Sequence, residues 1–113
     1  MTLAIALDNG DRPPVLSLHG DIDLNTATRL VEAAMPLIDA GSAILVLDLA
    51  GVGFCDSSGL SALIRLRNRV HPLGGRIDLA APTPIVQRVL DVSGLTEIFA
   101  TFPTVEAART AER

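Results

Sequence analysis

Residues 43–66, "AILVLDLAGVGFCDSSGLSALIRL", decide the fold. They open on a run of aliphatics, Ala43 to Leu49, the mark of a strand covered on both faces as in a parallel sheet. From Leu60 the pattern changes: Leu60, Leu63, Ile64 and Val70 fall on one helical face, while Arg65 and Arg69 lie one turn apart. A central strand therefore leads into an amphipathic helix. Between them, "GFCDSSGL" (53–60) places an acid, two hydroxyls and a glycine where an apolar chain has no packing use for them.

On the N-terminal side, Leu3, Ile5 and Leu7 alternate with small residues, "NGDRPP" supplies a turn and "VLSLH" follows, which predicts an opening β-hairpin. "GDIDLNTATRL" then breaks the strand. From Asn25 or Thr26, the residues Ala27, Leu30, Val31, Ala34, Leu37 and Ile38 recur at helical spacing until Gly41, with Pro36 an awkward interior residue and a place to kink. On the C-terminal side "PLGG" stops the second helix and "RIDLAA" is a fourth strand. "APTPIVQRVLDVSGL" predicts a third helix, with Pro84 just inside Thr83 and its end at Gly94. "EIFATF" is the last strand. "PTVEAARTAER" predicts a final helix capped by Thr104, with Glu106 in its first turn and Arg109 and Arg113 toward its end. The predicted order is ββαβαβαβα: one α/β domain over residues 1–113, its core about 3–108, with a mixed sheet of about five strands under packed helices.

Composition narrows the function. With 113 residues and 49% hydrophobic content, the chain can bury the core of one ordinary domain. The net charge is −4 and no basic run is present, so the electrostatic footprint of a nucleic-acid binder is missing. All nine basic residues are arginine, and the absence of lysine removes P-loop phosphate transfer and Schiff-base chemistry. Without Trp or Tyr, stacking platforms for bases are also lacking. No segment reaches the roughly 18 uninterrupted apolar residues of a membrane span. The single cysteine, Cys55, reads as a small buried hydrophobe of a reducing compartment, and the expected location is cytoplasmic. No cofactor and no metal are expected.

Strands of an open α/β sheet deliver their loops to one edge. If "GDIDLNT" and "GFCDSSGL" share that edge, Asp21, Asp23, Asp56, Ser57 and Ser58 form an acidic, hydroxyl-bearing surface. Three readings of it compete. In the plainest, Asp56 or Ser57 caps the following helix, Asn25 or Thr26 caps the earlier one, and the other acids are solvated. An enzyme reading takes Asp21 as a phosphatase nucleophile and Asp23 as its acid, but that chemistry needs a metal and a cation on the phosphate. Asp48 as a receiver-type phosphoacceptor lacks its lysine, and "DSSGL" is not G-x-S-x-G, with His19 and His71 given no sequence reason to meet Ser57. The third reading is a switch, in which another protein phosphorylates a hydroxyl at a helix start. Phosphate adds about −1.5 to −2 charges there; the helix N-terminus tolerates the charge, while an interface beside Asp56 does not.

These residues resemble the STAS domain, a family named for sulphate transporters and anti-sigma factor antagonists, and specifically its stand-alone antagonist branch. The resemblance rests on "GDIDLNTATRL", "LVLDLAGVGFCDSSGLSALIRL", "GGRIDLAAPTPIVQRVLDVSGL" and "FPTVEAA", and extends from about Leu3 to Ala108. It implies partner switching: a bacterial regulator of transcription, not itself an enzyme, that binds an anti-sigma factor with serine kinase activity and frees a sigma factor, as in stress responses. It further implies that the kinase phosphorylates the serine directly after the loop aspartate, Ser57, with Ser58 the second choice, and that a serine phosphatase restores the protein. Asp21, Asp23, Asp56, Ser57, Ser58 and Gly59 then form the partner surface, Gly59 letting the partner backbone approach closely. Arg65 and Arg69 either extend that surface or are merely solvated. An acidic surface without an obvious apolar seam points to a monomer before binding. The alternative is a STAS scaffold or small-ligand sensor that phosphorylation does not regulate.

Overall fold

The computed structural model describes residues 3–10 and 13–111. Five strands, β1 (Leu3–Asp8), β2 (Val15–Ile22), β3 (Ile44–Cys55), β4 (Arg76–Ala80) and β5 (Ala100–Phe102), form one sheet in the order β1-β2-β3-β4-β5. The hairpin pair β1/β2 is antiparallel and every later pair is parallel. Helices α1 (Ala27–Asp39), α2 (Ser57–Val70) and α3 (Pro84–Ser93) connect the parallel strands, and α4 (Val105–Thr110) follows β5. The predicted order ββαβαβαβα is the observed one.

Each crossover steps one strand in the same direction, and crossovers of one hand that all step the same way leave their helices on one face. The core follows from this. Leu16, Leu18, Leu45, Leu47, Leu49, Ile77 and Leu79 from the sheet pack with Leu30, Ala34 and Ile38 of α1, Leu63, Leu66 and Val70 of α2, and Val86 and Leu90 of α3. A smaller cluster on the other face joins Val15, Val46 and Ala80 to Ala108 of α4. Both faces of β3 are thereby covered at Leu45–Leu47, as its unbroken aliphatic run requires. Among the described residues, no helix is long and apolar enough to cross a membrane.

Several boundaries differ from the sequence reading. β3 continues past Leu49 to Cys55 and α2 begins at Ser57, so the expected loop is divided between strand and helix and only Asp56 separates the two. α1 begins at Ala27, after a turn over residues 23–26. β5 starts at Ala100, not Glu97: Leu95–Glu97 is a 3-10 turn whose Leu95 carbonyl accepts from the N–H groups of Ile98 (3.1 Å) and Phe99 (3.0 Å), satisfying locally the donors that a strand would present to a ladder. The third and fourth helices have the predicted caps. Thr83 accepts from the Val86 N–H, Gly94 closes α3 at φ +79°, and Thr104 accepts from the Ala107 N–H. Pro36 lies inside α1 on its exposed side. Asp11 and Arg12 of the predicted turn, and Arg113 of the predicted last helix, lie outside the described residues.

Candidate functional site

The C-terminal ends of β2 and β3 lie side by side, Asp21 in register with Phe54 and Ile22 with Cys55. The two acidic segments therefore meet at one sheet edge. Their junction is tied through Ile22: its carbonyl accepts the Asp56 N–H at 3.1 Å, and Gly59 packs directly against it.

Asp56 has extended backbone and caps α2. Its Oδ1 accepts the N–H groups of Ser58 at 2.8 Å and Gly59 at 3.1 Å, which satisfies two of the free donors of the helix start. The plainest reading thus holds for Asp56. It leaves Ser57 as the first residue of α2 with an exposed side chain, and Ser58 half-buried. Gly59 is buried: a Cβ there would stand 2.6 Å from the Cys55 Sγ and 2.8 Å from the Ile22 carbonyl oxygen. The close approach that Gly59 permits is accordingly within this chain, between α2 and β2. Cys55 beneath it is 1% exposed, and burial first, then the neighbouring Asp56 charge, pushes its thiol up to about 12, so it has no nucleophilic character at neutral pH.

The β2–α1 turn is organised by Asp23 and Thr26; of the expected caps Asn25 or Thr26, Thr26 occupies the cap position but its side chain makes no cap bond to α1. The Asp23 Oδ1 accepts the N–H groups of Asn25 (2.9 Å) and Thr26 (3.1 Å), while the Asp23 N–H donates to the Thr26 Oγ1 (2.9 Å). This is the reciprocal arrangement of a capping box. Thr26 is 2% exposed and its hydroxyl donates to the Asp21 carbonyl at 2.7 Å, which locks the turn onto the strand end. Asp21, half-buried, lies over Gly53: a Cβ on that glycine would be 3.1 Å from its Oδ1.

Asp21, Asp23, Asp56, Ser57 and Ser58 thus share one edge, and Gly59 sits beneath them. No basic residue occurs in 20–28 or 51–64, so the acids there have no cation within their own segments. Two residues that the sequence reading did not single out belong to this edge. Leu24, 75% exposed, stands in the turn, and Phe54, 47% exposed, precedes Cys55 on β3. Their signal was an apolar residue inside a polar turn and one of only three aromatics beside it.

Other expectations resolve differently. Arg69 makes a half-exposed ion pair with Asp39 of α1, Nη2 to Oδ1 2.7 Å, so it joins two helices; Arg65 is solvent-exposed. Ser57 opens α2 and His71 follows its last residue, a separation of about 20 Å at the helical rise, which leaves no Ser–His pair there. Asp48 Oδ2 accepts from the Ser17 hydroxyl at 3.3 Å and its Oδ1 from the Ala50 N–H at 3.0 Å, a strand-side role away from this edge.

Comparison with known proteins follows the same geometry. The family model of the STAS domain matches residues 4–108. The anti-sigma-F factor antagonist RsfB of Mycobacterium tuberculosis is 32% identical over 113 residues, covering 100% of this chain and 90% of that protein. A crystal structure of an anti-sigma factor antagonist from Mycobacterium paratuberculosis superposes with a TM-score of 0.85 at 28% identity, over 95% of this chain and 91% of that one. The anti-sigma factor antagonist SpoIIAA in its unphosphorylated form superposes with a TM-score of 0.79 at 25% identity, over 93% and 92% of the two chains. A match along nearly the whole chain, together with relatives that share its sheet order and its helices, makes this protein a member of the STAS domain family.

Proposed function

We propose that this protein is an anti-sigma factor antagonist that works by partner switching. In the unmodified state its acidic edge binds an anti-sigma factor that is also a serine kinase, and the sigma factor is released to direct transcription. The kinase transfers phosphate to Ser57, the modified protein dissociates, and a serine phosphatase restores it. The protein acts in the bacterial cytoplasm as a binding module and a kinase substrate; it performs no catalysis of its own.

The observation that carries this reading is the position of Ser57. Its side chain is exposed at the first residue of a 14-residue helix, directly after a carboxylate that is already committed to the cap. A phosphate there adds charge without touching the core, so the fold persists. Asp56 directly precedes it, Asp23 lies in the turn at the same sheet edge, and no arginine of the two segments neutralises them, so any partner must desolvate the whole negative cluster. Breaking an interface by a few kcal/mol in this way lowers affinity about a hundredfold or more. The likeness to RsfB and to SpoIIAA, the latter described in an unphosphorylated form, supports the same reading. In it, Asp21 and Asp23 contribute to the partner surface, Ser58 is the second hydroxyl, and Gly59 acts by seating α2 against β2.

Affinity capture from the native lysate tests this, with wild type, Ser57→Ala and Ser57→Asp as baits, in ADP and in ATP. Wild type and Ser57→Ala retain one nucleotide-binding anti-sigma factor that Ser57→Asp loses, and ATP adds one phosphate to wild type at Ser57. Identical retention by all three baits, with Ser57 unmodified, favours a scaffold or ligand sensor instead.

A further inference from the structure

β1 is the end strand of the sheet, and among the described residues nothing pairs with its outer edge. Natural edge strands are blunted by charges, proline, bulges or brevity, because a bare row of N–H and C=O groups invites another strand. β1 has none of these devices between Leu3 and Leu7, and its register with β2 runs unbroken from Leu3↔Gly20 to Asp8↔Val15. Its sequence there, Leu3-Ala4-Ile5-Ala6-Leu7, reads the same in both directions. Antiparallel pairing of this segment with itself about Ile5 therefore sets Leu3 opposite Leu7, Ala4 opposite Ala6 and Ile5 opposite Ile5, with the large residues all on one face.

That face has room for a second copy. Ile5 and Leu7, the latter 51% exposed, line an open groove of about 390 Å³ with Leu16 of β2 and Ala33 and Leu37 of α1. The charges near the seam are balanced within each copy. Arg29 and Glu32 both line the groove, and Asp8 Oδ2 is paired with Arg109 Nη1 at 3.2 Å. Two chains of net charge −4 can thus meet here without setting an uncompensated charge against its like.

We propose that the free protein self-associates through this edge: two copies pair β1 with β1 antiparallel about Ile5, joining their sheets, with Ile5 and Leu7 of each copy filling the space between the two α1 helices. The contact is isologous, the arrangement of a two-fold dimer. It replaces the monomer expected from the sequence, because the apolar seam is an edge and a groove that composition does not display. It does not depend on the phosphorylation reading.

Sedimentation equilibrium over a micromolar to millimolar series tests this. The wild-type apparent mass rises from 11.8 kDa toward twice that value. Ala4 and Ala6 are exposed, so substitutions there leave the folded subunit intact, which thermal melts monitored by circular dichroism verify. The Ala4→Lys/Ala6→Lys variant sets like charges directly opposite and weakens self-association roughly tenfold or more. Ala4→Lys/Ala6→Asp sets opposite charges at the same positions and restores it. A wild type that stays at 11.8 kDa throughout overturns the proposal. So does a double-lysine variant that associates as well as wild type, or a Lys/Asp variant no better than the double-lysine one.

Discussion

Gly59 of α2 lies so close to Ile22 of β2 that a Cβ on the glycine would stand 2.8 Å from the Ile22 carbonyl oxygen. That oxygen also receives the Asp56 N–H, so one residue at the end of β2 positions both the cap and the start of α2. Gly59→Ala forces these elements apart at a point where backbone cannot yield cheaply. The expected cost is about 2 kcal/mol of unfolding free energy, read from urea denaturation, with partner affinity falling too because Ser57 moves with the helix. An alanine variant as stable as wild type contradicts this packing.

Asp56 has two separable roles, a cap and a charge. Asp56→Ala loses the bonds to Ser58 and Gly59 and is expected to destabilise by about 1 kcal/mol. Asp56→Asn keeps a capping oxygen and removes the charge, so it stays near wild-type stability. If Asp56 also serves the partner surface, the Asn variant binds the anti-sigma factor more weakly despite its intact fold; unchanged affinity confines Asp56 to the cap. Chemical denaturation and calorimetric titration of both variants read the two roles independently.

Cys55 makes stability depend on alkaline pH. Its thiol is held at about 12 in the folded protein, against 9.0 for the unburied group. Between those values the unfolded chain has lost a proton that the folded chain retains. Stability is therefore full below about pH 9 and falls as pH rises through the window, by at most about 1.4 kcal/mol per pH unit. The chain has no lysine and no tyrosine, and arginine titrates higher, so no other side chain competes in this range. Urea midpoints measured from pH 8 to 11 should decline in wild type and run flat in Cys55→Ala. A flat wild-type profile contradicts the burial of the thiol.

Leu24 and Phe54 are exposed at the acidic edge, where stability gives no reason for large apolar side chains. Leu24→Ser and Phe54→Ser should change stability by no more than about 0.5 kcal/mol at Leu24 and modestly at Phe54. Each should weaken partner binding about tenfold, as an apolar anchor within a polar rim does. Calorimetric titration with the anti-sigma factor checks both, and wild-type affinity in the two variants removes them from the surface.

The element order was legible in the sequence because the apolar periods change sharply, from the run at Ala43–Leu49 to the helical spacing after Leu60. The extension of β3 to Cys55 was not, because Gly51 and Gly53 read as loop. In the fold they lie beneath His19 and Asp21 of β2, a reason that exists only once the strands are paired. Thr83 and Gly94 signalled their helix ends through local chemistry, whereas residues 97–99 looked extended and instead form the turn that carries Phe99 into the core at 3% exposure. At the site, the acids and serines declared themselves by residue type. Leu24, Phe54 and the Arg69–Asp39 pair did not, since exposure and contacts between residues 30 positions apart are tertiary properties.

The most direct test of the partner-switch account is the affinity of the purified anti-sigma factor for the same preparation before and after kinase treatment, with the modified residue mapped by mass spectrometry. The account predicts one phosphate on Ser57, an unchanged circular dichroism spectrum, and affinity lower by about a hundredfold or more. Equal affinity of the two forms, or phosphate on a residue other than Ser57, would contradict it.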